Sequence, residues 1–515
     1  MAEQPGVSAP TPVPGTARGP EPASTLAIGL LGGLGLLLLP TGDEYPVRAL
    51  GPELLVYTIG YALFAPLLWS YLRRWRPRQA RAVFAVAMGA LLLRVTFCVA
   101  ATSYAVHRNP AAALTMGPSL SSTQRGLPDR STSPFQGYIA PDSFAFSRDA
   151  RTLAWAKTGR LYGLERQLGG HNLNANLIDA MLYRTYGLDA FKRQHYTVLG
   201  GTQRIHHVVL AGWAITIVGY SVVASLLPFS FFGVILILIT YLYITDLGYP
   251  MAAKYILLWM SVAPEFLSIS SMWHEDNATA VCVLLVLWAA LAQGERWTWR
   301  GLWRFIPSYY LLQPFRPQLA PLLGILVALC YGMTWMKSQR ARQGYLIFLI
   351  LAGVAIGLVA VLMNPRSSIG ETNYFVGYLI NLLANPGPSF FSGLELTSKV
   401  YAMADLPIAL MYPLLGAWVV LGVGCAIRSG ERKWAGVFSG VFVMLGAVTS
   451  RYPGVYGAMR LKIVIMPLLV LLAYEALRTV RTWPPRQQRA VMWFVGLYTT
   501  LMWAAHLALI LQRPG

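Results

Sequence analysis

Three groups of residues have the types and spacing that chemistry requires. The first is an acid in GYIAPDSFAFSRDARTLAWAKTG, Gly137 to Gly159. Pro141-Asp142-Ser143 opens a helical pattern in which Phe144, Phe146, Ala150, Leu153, Ala154 and Trp155 recur at helical spacings. On one reading Asp142 is an N-cap, worth about 1 kcal/mol to its helix. On the other it sits at the tip of an interfacial helix beside a membrane. There it would act as a general base, accepting a proton from an attacking hydroxyl or amine.

The second group is His274-Glu275-Asp276, inside WHEDN between two apolar segments. Acids in the first turn of a helix complement its dipole. Three ionisable residues in a row at a membrane rim also mark a polar cavity. His274 and Glu275 are candidate ligands for a divalent metal, the one cofactor the sequence raises. The third group is basic: Arg204, Arg316, Arg451, Arg460 and Lys462, with His206 and His207 beside the first of them. Arg316 lies between two prolines in LLQPFRPQLAP, and Arg451 and Arg460 bracket YPGVYGAM. Such arginines pair with carboxylates or lipid headgroups, or grip a phosphate or pyrophosphate through a planar bidentate fork. A base, a phosphate grip and an apolar body are the parts needed to use a lipid-linked sugar phosphate, whose leaving charge arginine neutralises.

The elements that must position these groups are membrane helices. The 515 residues are 56% hydrophobic and 12% charged, against about 25% charged in soluble domains. Apolar runs of transmembrane length recur along the chain, which predicts an all-α polytopic membrane protein of roughly 11–13 spans with a large external loop. The net charge of +20 resembles a nucleic-acid footprint. Most Lys and Arg instead cluster beside apolar spans, at Arg73–Arg81, Glu295–Arg304, Met336–Arg342, Arg428–Trp434 and Arg478–Arg489. That is the positive-inside pattern, and no nucleic-acid partner is expected. Cys98, Cys282, Cys330 and Cys425 each fall in an apolar span with no CxxC spacing and read as small core residues.

The expected organisation is a disordered cytoplasmic tail over 1–24, N-terminal transmembrane helices over 25–106 and an external loop with amphipathic helices over 107–204. Central transmembrane helices follow over 205–363, then a second external loop over 364–406 and C-terminal transmembrane helices over 407–515. Hydropathy divides 205–272 into pieces near 207–228, 229–247 and 251–272. Three full crossings there would put WHEDN on the basic side, so 205–226 is expected to be re-entrant or interfacial. No P-loop, no GxGxxG opening a strand-helix unit, no HExxH and no internal repeat occurs, so nucleotide-driven chemistry has no support.

Five stretches occur in the order seen in bacterial GT-C class glycosyltransferases: PDSFAFSRDARTLAWAKTG, NLIDAMLYRTYGLDAF, APEFLSISSMWHEDNATAVCVLLVLW, FRPQLAPLLGILVAL and RYPGVYGAMRLKIVIMPLLVLLAY. Over residues 137–477 the chain resembles the group that includes the lipid A aminoarabinose transferase and the protein O-mannosyltransferases. The resemblance implies sugar transfer from a polyprenyl-phosphate donor to an acceptor glycan, lipid or protein on the outer face of a bacterial inner membrane. It carries the general base onto Asp142, the later acidic position onto Glu275 or Asp276, and the basic position before the last span onto Arg451 or Arg460.

Two departures stand out. Spans precede the large loop here, which leaves Asp43 and Glu44 as rival counterparts of Asp142. His274 stands where many relatives have Lys or Arg, so the site could be a phosphate contact, a metal site or a proton relay. The expected function is inverting glycosyl transfer with Asp142 as base and Arg316, Arg451 and Arg460 on the donor phosphate, assisted by His206 or His207. The rivals are a polymerase or ligase using a lipid pyrophosphate, a transporter or flippase, and a structural membrane subunit.

Overall fold

The structure, a computed structural model, describes residues 50–108, 222–263, 266–267, 270, 276–292, 305–306, 308, 320–363, 406–443, 463 and 465–511. Among the described residues the regular structure is helical and no strand occurs. Among the described residues, three stretches are long and apolar enough to cross a membrane: Ala80–Phe97, Phe229–Asp246 and Met411–Ser429.

Local chemistry sets the helix ends. α1 (Leu50–Trp75) closes on Arg73 and Arg74, whose charge suits a helix C-terminus. Pro77 then bars continuation, and α2 (Ala80–Arg108) starts after a short turn. α3 (Val222–Asp246) ends in a turn where Gly248 holds φ +92°, and Pro250 opens α4 (Pro250–Val262). α5 (Asp276–Ala292), α6 (Ala320–Gly332) and α7 (Gln339–Met363) follow. α8 (Leu406–Ser429) is capped by Gly430 at φ +62°, whose N–H returns to the carbonyls of Ala426 and Ile427. α9 (Lys433–Phe438) passes into a π-turn over Ser439–Val443. α10 (Met466–Val480) and α11 (Pro485–Leu511) each begin with a proline in the first turn.

α3 is the centre of the N-terminal half and packs against α1, α2, α4 and α5. Of its apolar window 72% is buried, against 50% for α2 and 44% for α8. In the C-terminal half α10 packs along α8, and α8 along α11. α5 joins the halves through α6 and α9. α4 buries one apolar face and exposes another that is apolar apart from Lys254. Ala252, Ala253, Ile256, Leu257 and Met260 are buried, while Met251, Tyr255, Leu258 and Val262 form an exposed stripe. An exposed stripe that is mostly apolar suits a lipid environment, where a lysine stem can lie along apolar surface with its charge reaching water.

The sequence expectation needs one correction. Hydropathy divides the chain at 228/229, but α3 runs unbroken through that point. Residues 222–226 of the expected re-entrant piece therefore belong to a long helix, and 205–221 lie outside the described residues. Hydropathy cannot detect continuity across Pro228, because proline is weakly polar on such scales and a helix can absorb it when tertiary packing supplies the rest.

Among the described residues, the basic turns converge on one end of the bundle. Arg76 pairs with Asp246, which also accepts a hydrogen bond from Trp288 Nε1 at 2.9 Å. Gln339 and Gln343 donate to the Arg428 carbonyl. Lys433 and Arg478 both lie over the ring of Tyr249. The turns after α1, α3, α6, α8 and α10 thus share the basic end, and α5 runs toward it, with Trp288 near its last turn reaching Asp246.

Candidate functional site

The strongest polar construction among the described residues surrounds Arg94. This side chain is fully buried in the middle of α2, inside an apolar window. A charge there is expensive unless every donor finds an acceptor. Arg94 NH2 donates to Met260 O at 2.8 Å, and NH1 to Ser261 O at 3.3 Å and Ala90 O at 3.2 Å. Nε donates to Ser270 Oγ at 3.2 Å.

The acceptors exist because α4 stops where it does. Ala263 precedes Pro264, and a residue before proline is driven out of the helical region. Ala263 is accordingly extended, at φ −63° and ψ 130°. The carbonyls of Met260 and Ser261 are then orphans of the last turn, and they lie at the negative end of the helix dipole. A guanidinium satisfies both demands at once.

Ser270 is the hub. Its hydroxyl donates to Phe266 O at 2.6 Å and accepts from Arg94 Nε and from Asn277 Nδ2, the latter at 3.2 Å. Ser230 of α3 donates to the Ser270 carbonyl at 3.2 Å. Asn277 is the second residue of α5 and 1% exposed; its Oδ1 has no hydrogen-bond partner among the described residues. The network thus ties the end of α4 at Ser261 to the start of α5 at Asn277. The connection between those two points carries His274, Glu275 and Asp276.

Of the sequence-derived site residues, Asp276 alone falls in a described element, as the first residue of α5. Asp142, Arg204, His206, His207, His274, Glu275, Arg316, Arg451 and Arg460 lie outside the described residues, as do Asp43 and Glu44. Among the described residues no cluster of His, Cys, Asp and Glu could hold a metal. Sequence reasoning passed over Arg94, Ser270 and Asn277. A signal was present for Arg94, since it is a lone cation in ALLLRVTFCVA.

A second charged cluster lies at the basic end. Glu475 is 4% exposed and receives Nε and NH2 of Arg478, each at 3.0 Å. The Tyr249 ring lies 4.5 Å from Lys433 Nζ and 5.2 Å from Arg478 Cζ. Burial, together with the Glu475 carboxylate, holds the Tyr249 phenol well above its ordinary pKa, so it stays neutral. Lys433 pairs with Glu431 at 2.6 Å, so each cation has its own carboxylate, and the cluster is a clamp between the α3–α4 turn, the α8–α9 turn and α10.

No family model, no curated protein and no solved structure matches this chain.

Proposed function

We infer that the protein is a multi-pass membrane glycosyltransferase of the GT-C type, moving a sugar from a polyprenyl-phosphate donor to an acceptor on the outer face of a bacterial inner membrane. The observation that carries this reading is the Arg94–Ser270–Asn277 network. It fastens, in the buried interior of the bundle, both sides of the connection that bears His274, Glu275 and Asp276. A donor phosphate needs polar groups held rigidly at a membrane rim, and such groups act best when their supports are preorganised. The helical bundle with its apolar outer stripes supports the same reading, as do the five ordered sequence stretches. In this scheme Asp142 takes the acceptor proton, and Arg316, Arg451 and Arg460 hold the donor phosphate.

The deciding experiment supplies purified protein with polyprenyl-phosphate sugars and compares the wild type with Asp142→Asn. Transfer by the wild type and its loss in the variant is the expected result; undiminished transfer by the variant removes Asp142 from the role. Mass spectrometry of lipids carried by the purified protein should find a polyprenyl phosphate.

One observation favours a transporter as second reading. α4 breaks at Ala263 inside the bundle, and broken helices line transport sites. In transporters the freed carbonyls face a cation. Here an arginine of the chain itself occupies those of Met260 and Ser261. Substrate flux into proteoliposomes without any sugar transfer would favour the transporter.

A further inference from the structure

α11 presents an unusual sequence of side chains along its outer face. Arg486, Arg489, Trp493, Leu497 and Leu501 recur at steps of three and four residues, so they share one face. All are exposed, Trp493 at 79%, Leu497 at 63% and Leu501 at 56%. Val491, Val495 and Thr499, on the opposite face, are buried. The outer face therefore reads from the basic end inward as two arginines, an indole and aliphatic side chains. Arg486 and Trp493 are seven residues apart, about 10 Å along the helix.

The preceding turn adds a third cation. Arg481 is exposed, and Gln488 Nε2 donates to the carbonyls of Arg481 at 3.3 Å and Trp483 at 2.8 Å. That fastens the turn, with Arg481 exposed on it, onto the first turns of α11. Glu475 is the sole acid between 466 and 511, and Arg478 holds it. Arg481, Arg486 and Arg489 have no carboxylate partner among the described residues.

We propose that this face binds an acidic phospholipid, its phosphate on Arg481, Arg486 and Arg489, its glycerol region against Trp493 and an acyl chain along Leu497 and Leu501. Each part has a physical match. Arginine grips phosphate through paired N–H donors. An indole sits at the boundary between headgroup and hydrocarbon, and leucine suits acyl chain. Three uncompensated guanidinium groups repel the ammonium of a zwitterionic headgroup, which makes the site selective for net negative lipid. The proposal rests on the membrane part of the functional reading and is independent of sugar transfer.

The test uses the full chain in phosphatidylcholine vesicles containing brominated phosphatidylglycerol or, in parallel, brominated phosphatidylcholine. Bromine quenches nearby indoles, and the difference between the wild type and Trp493→Phe isolates Trp493. Brominated phosphatidylglycerol should quench Trp493 at lower lipid fraction than brominated phosphatidylcholine. Each Arg→Gln change among the three should weaken that preference about fivefold, the fold-change matching about 1 kcal/mol per basic residue. High salt should also weaken it. Equal quenching by both lipids overturns the proposal, as does a preference that survives R481Q/R486Q/R489Q. Loss of the preference on adding inorganic phosphate at constant ionic strength assigns the arginines to free phosphate and overturns it too. No quenching by either lipid overturns it together with the membrane reading, whereas failure of the sugar-transfer assay leaves it standing.

Discussion

Arg94 Nε and Ser270 Oγ meet at 3.2 Å because residue 233, on the facing side of α3, is glycine. A Cβ at position 233 would overlap Ser270 Oγ, and it would lie 2.7 Å from Ser270 Cβ and 3.0 Å from Arg94 Nε. The absence of one methyl group in α3 is what lets α2 and the segment after α4 share a hydrogen bond in the buried interior.

Gly233→Ala should therefore destabilise the protein by about 1–3 kcal/mol, the usual cost of overpacking a filled interior. Thermal unfolding in detergent reads this as a lowered Tm. Gly233→Ala combined with Ser270→Gly removes both the hydroxyl and the Cβ that the new methyl meets. The double variant should regain part of the loss. Additive losses would mean the clash lies elsewhere.

Arg94→Met should cost more than Arg94→Lys. Methionine fills much of the volume but leaves the carbonyls of Met260 and Ser261 without their donor, at about 1–3 kcal/mol for each unsatisfied buried group. Lysine keeps the charge and some of the donors but cannot reach Ser270 and both carbonyls at once. Both variants should loosen the connection between Ser261 and Asn277. Hydrogen exchange at the start of α5 should rise in the order wild type, lysine, methionine.

The helical class and the apolar spans of α2 and α8 were legible in the sequence, because their hydropathy follows directly from residue type. The gathering of the described basic turns at one end was legible through the charge pattern and is carried by contacts such as Arg76 with Asp246, while Glu295–Arg304 lies outside the described residues. Continuity of α3 across Pro228 was not, since tertiary packing decides it. Arg94 was visible as an odd residue, yet its role depends on the orphan carbonyls that the Ala263–Pro264 junction frees 166 residues later in the chain. No local pattern carries that relation. The chemistry-bearing residues read from the sequence, Asp142 and the arginines at 316, 451 and 460, lie outside the described residues.

Three glycines should respond to alanine in a graded way. At Gly422 the new Cβ would overlap the Leu472 carbonyl oxygen and lie 2.5 Å from its carbon, so two backbones would have to separate. At Gly60 it would come within 2.5 Å of the Phe231 ring, which can rotate. At Gly89 nothing lies within 4 Å, and alanine favours the helix by about 0.5–1 kcal/mol. Tm should fall most for Gly422→Ala, less for Gly60→Ala, and rise slightly for Gly89→Ala. A Gly422→Ala protein as stable as the wild type would contradict the close approach of α8 and α10.

The Glu475–Arg478 pair should behave asymmetrically, because its two members differ in access to water. The Glu475 side chain is 5% exposed and that of Arg478 is 54%. Arg478→Met strands a buried carboxylate that water cannot reach, and a fully buried pair broken in this way costs about 3–5 kcal/mol. Half exposure of the partner means the pair is already screened, so the expected loss is smaller, about 1–3 kcal/mol. Glu475→Gln instead leaves an arginine that solvent can hydrate, while the amide still fills the same volume, and it should cost less than Arg478→Met. The double variant carries neither stranded charge and should be more stable than Arg478→Met alone. Unfolding of the four proteins in one detergent measures the cycle. An Arg478→Met protein no less stable than Glu475→Gln would show that α10 is held to the Tyr249 turn by apolar packing and not by the ion pair.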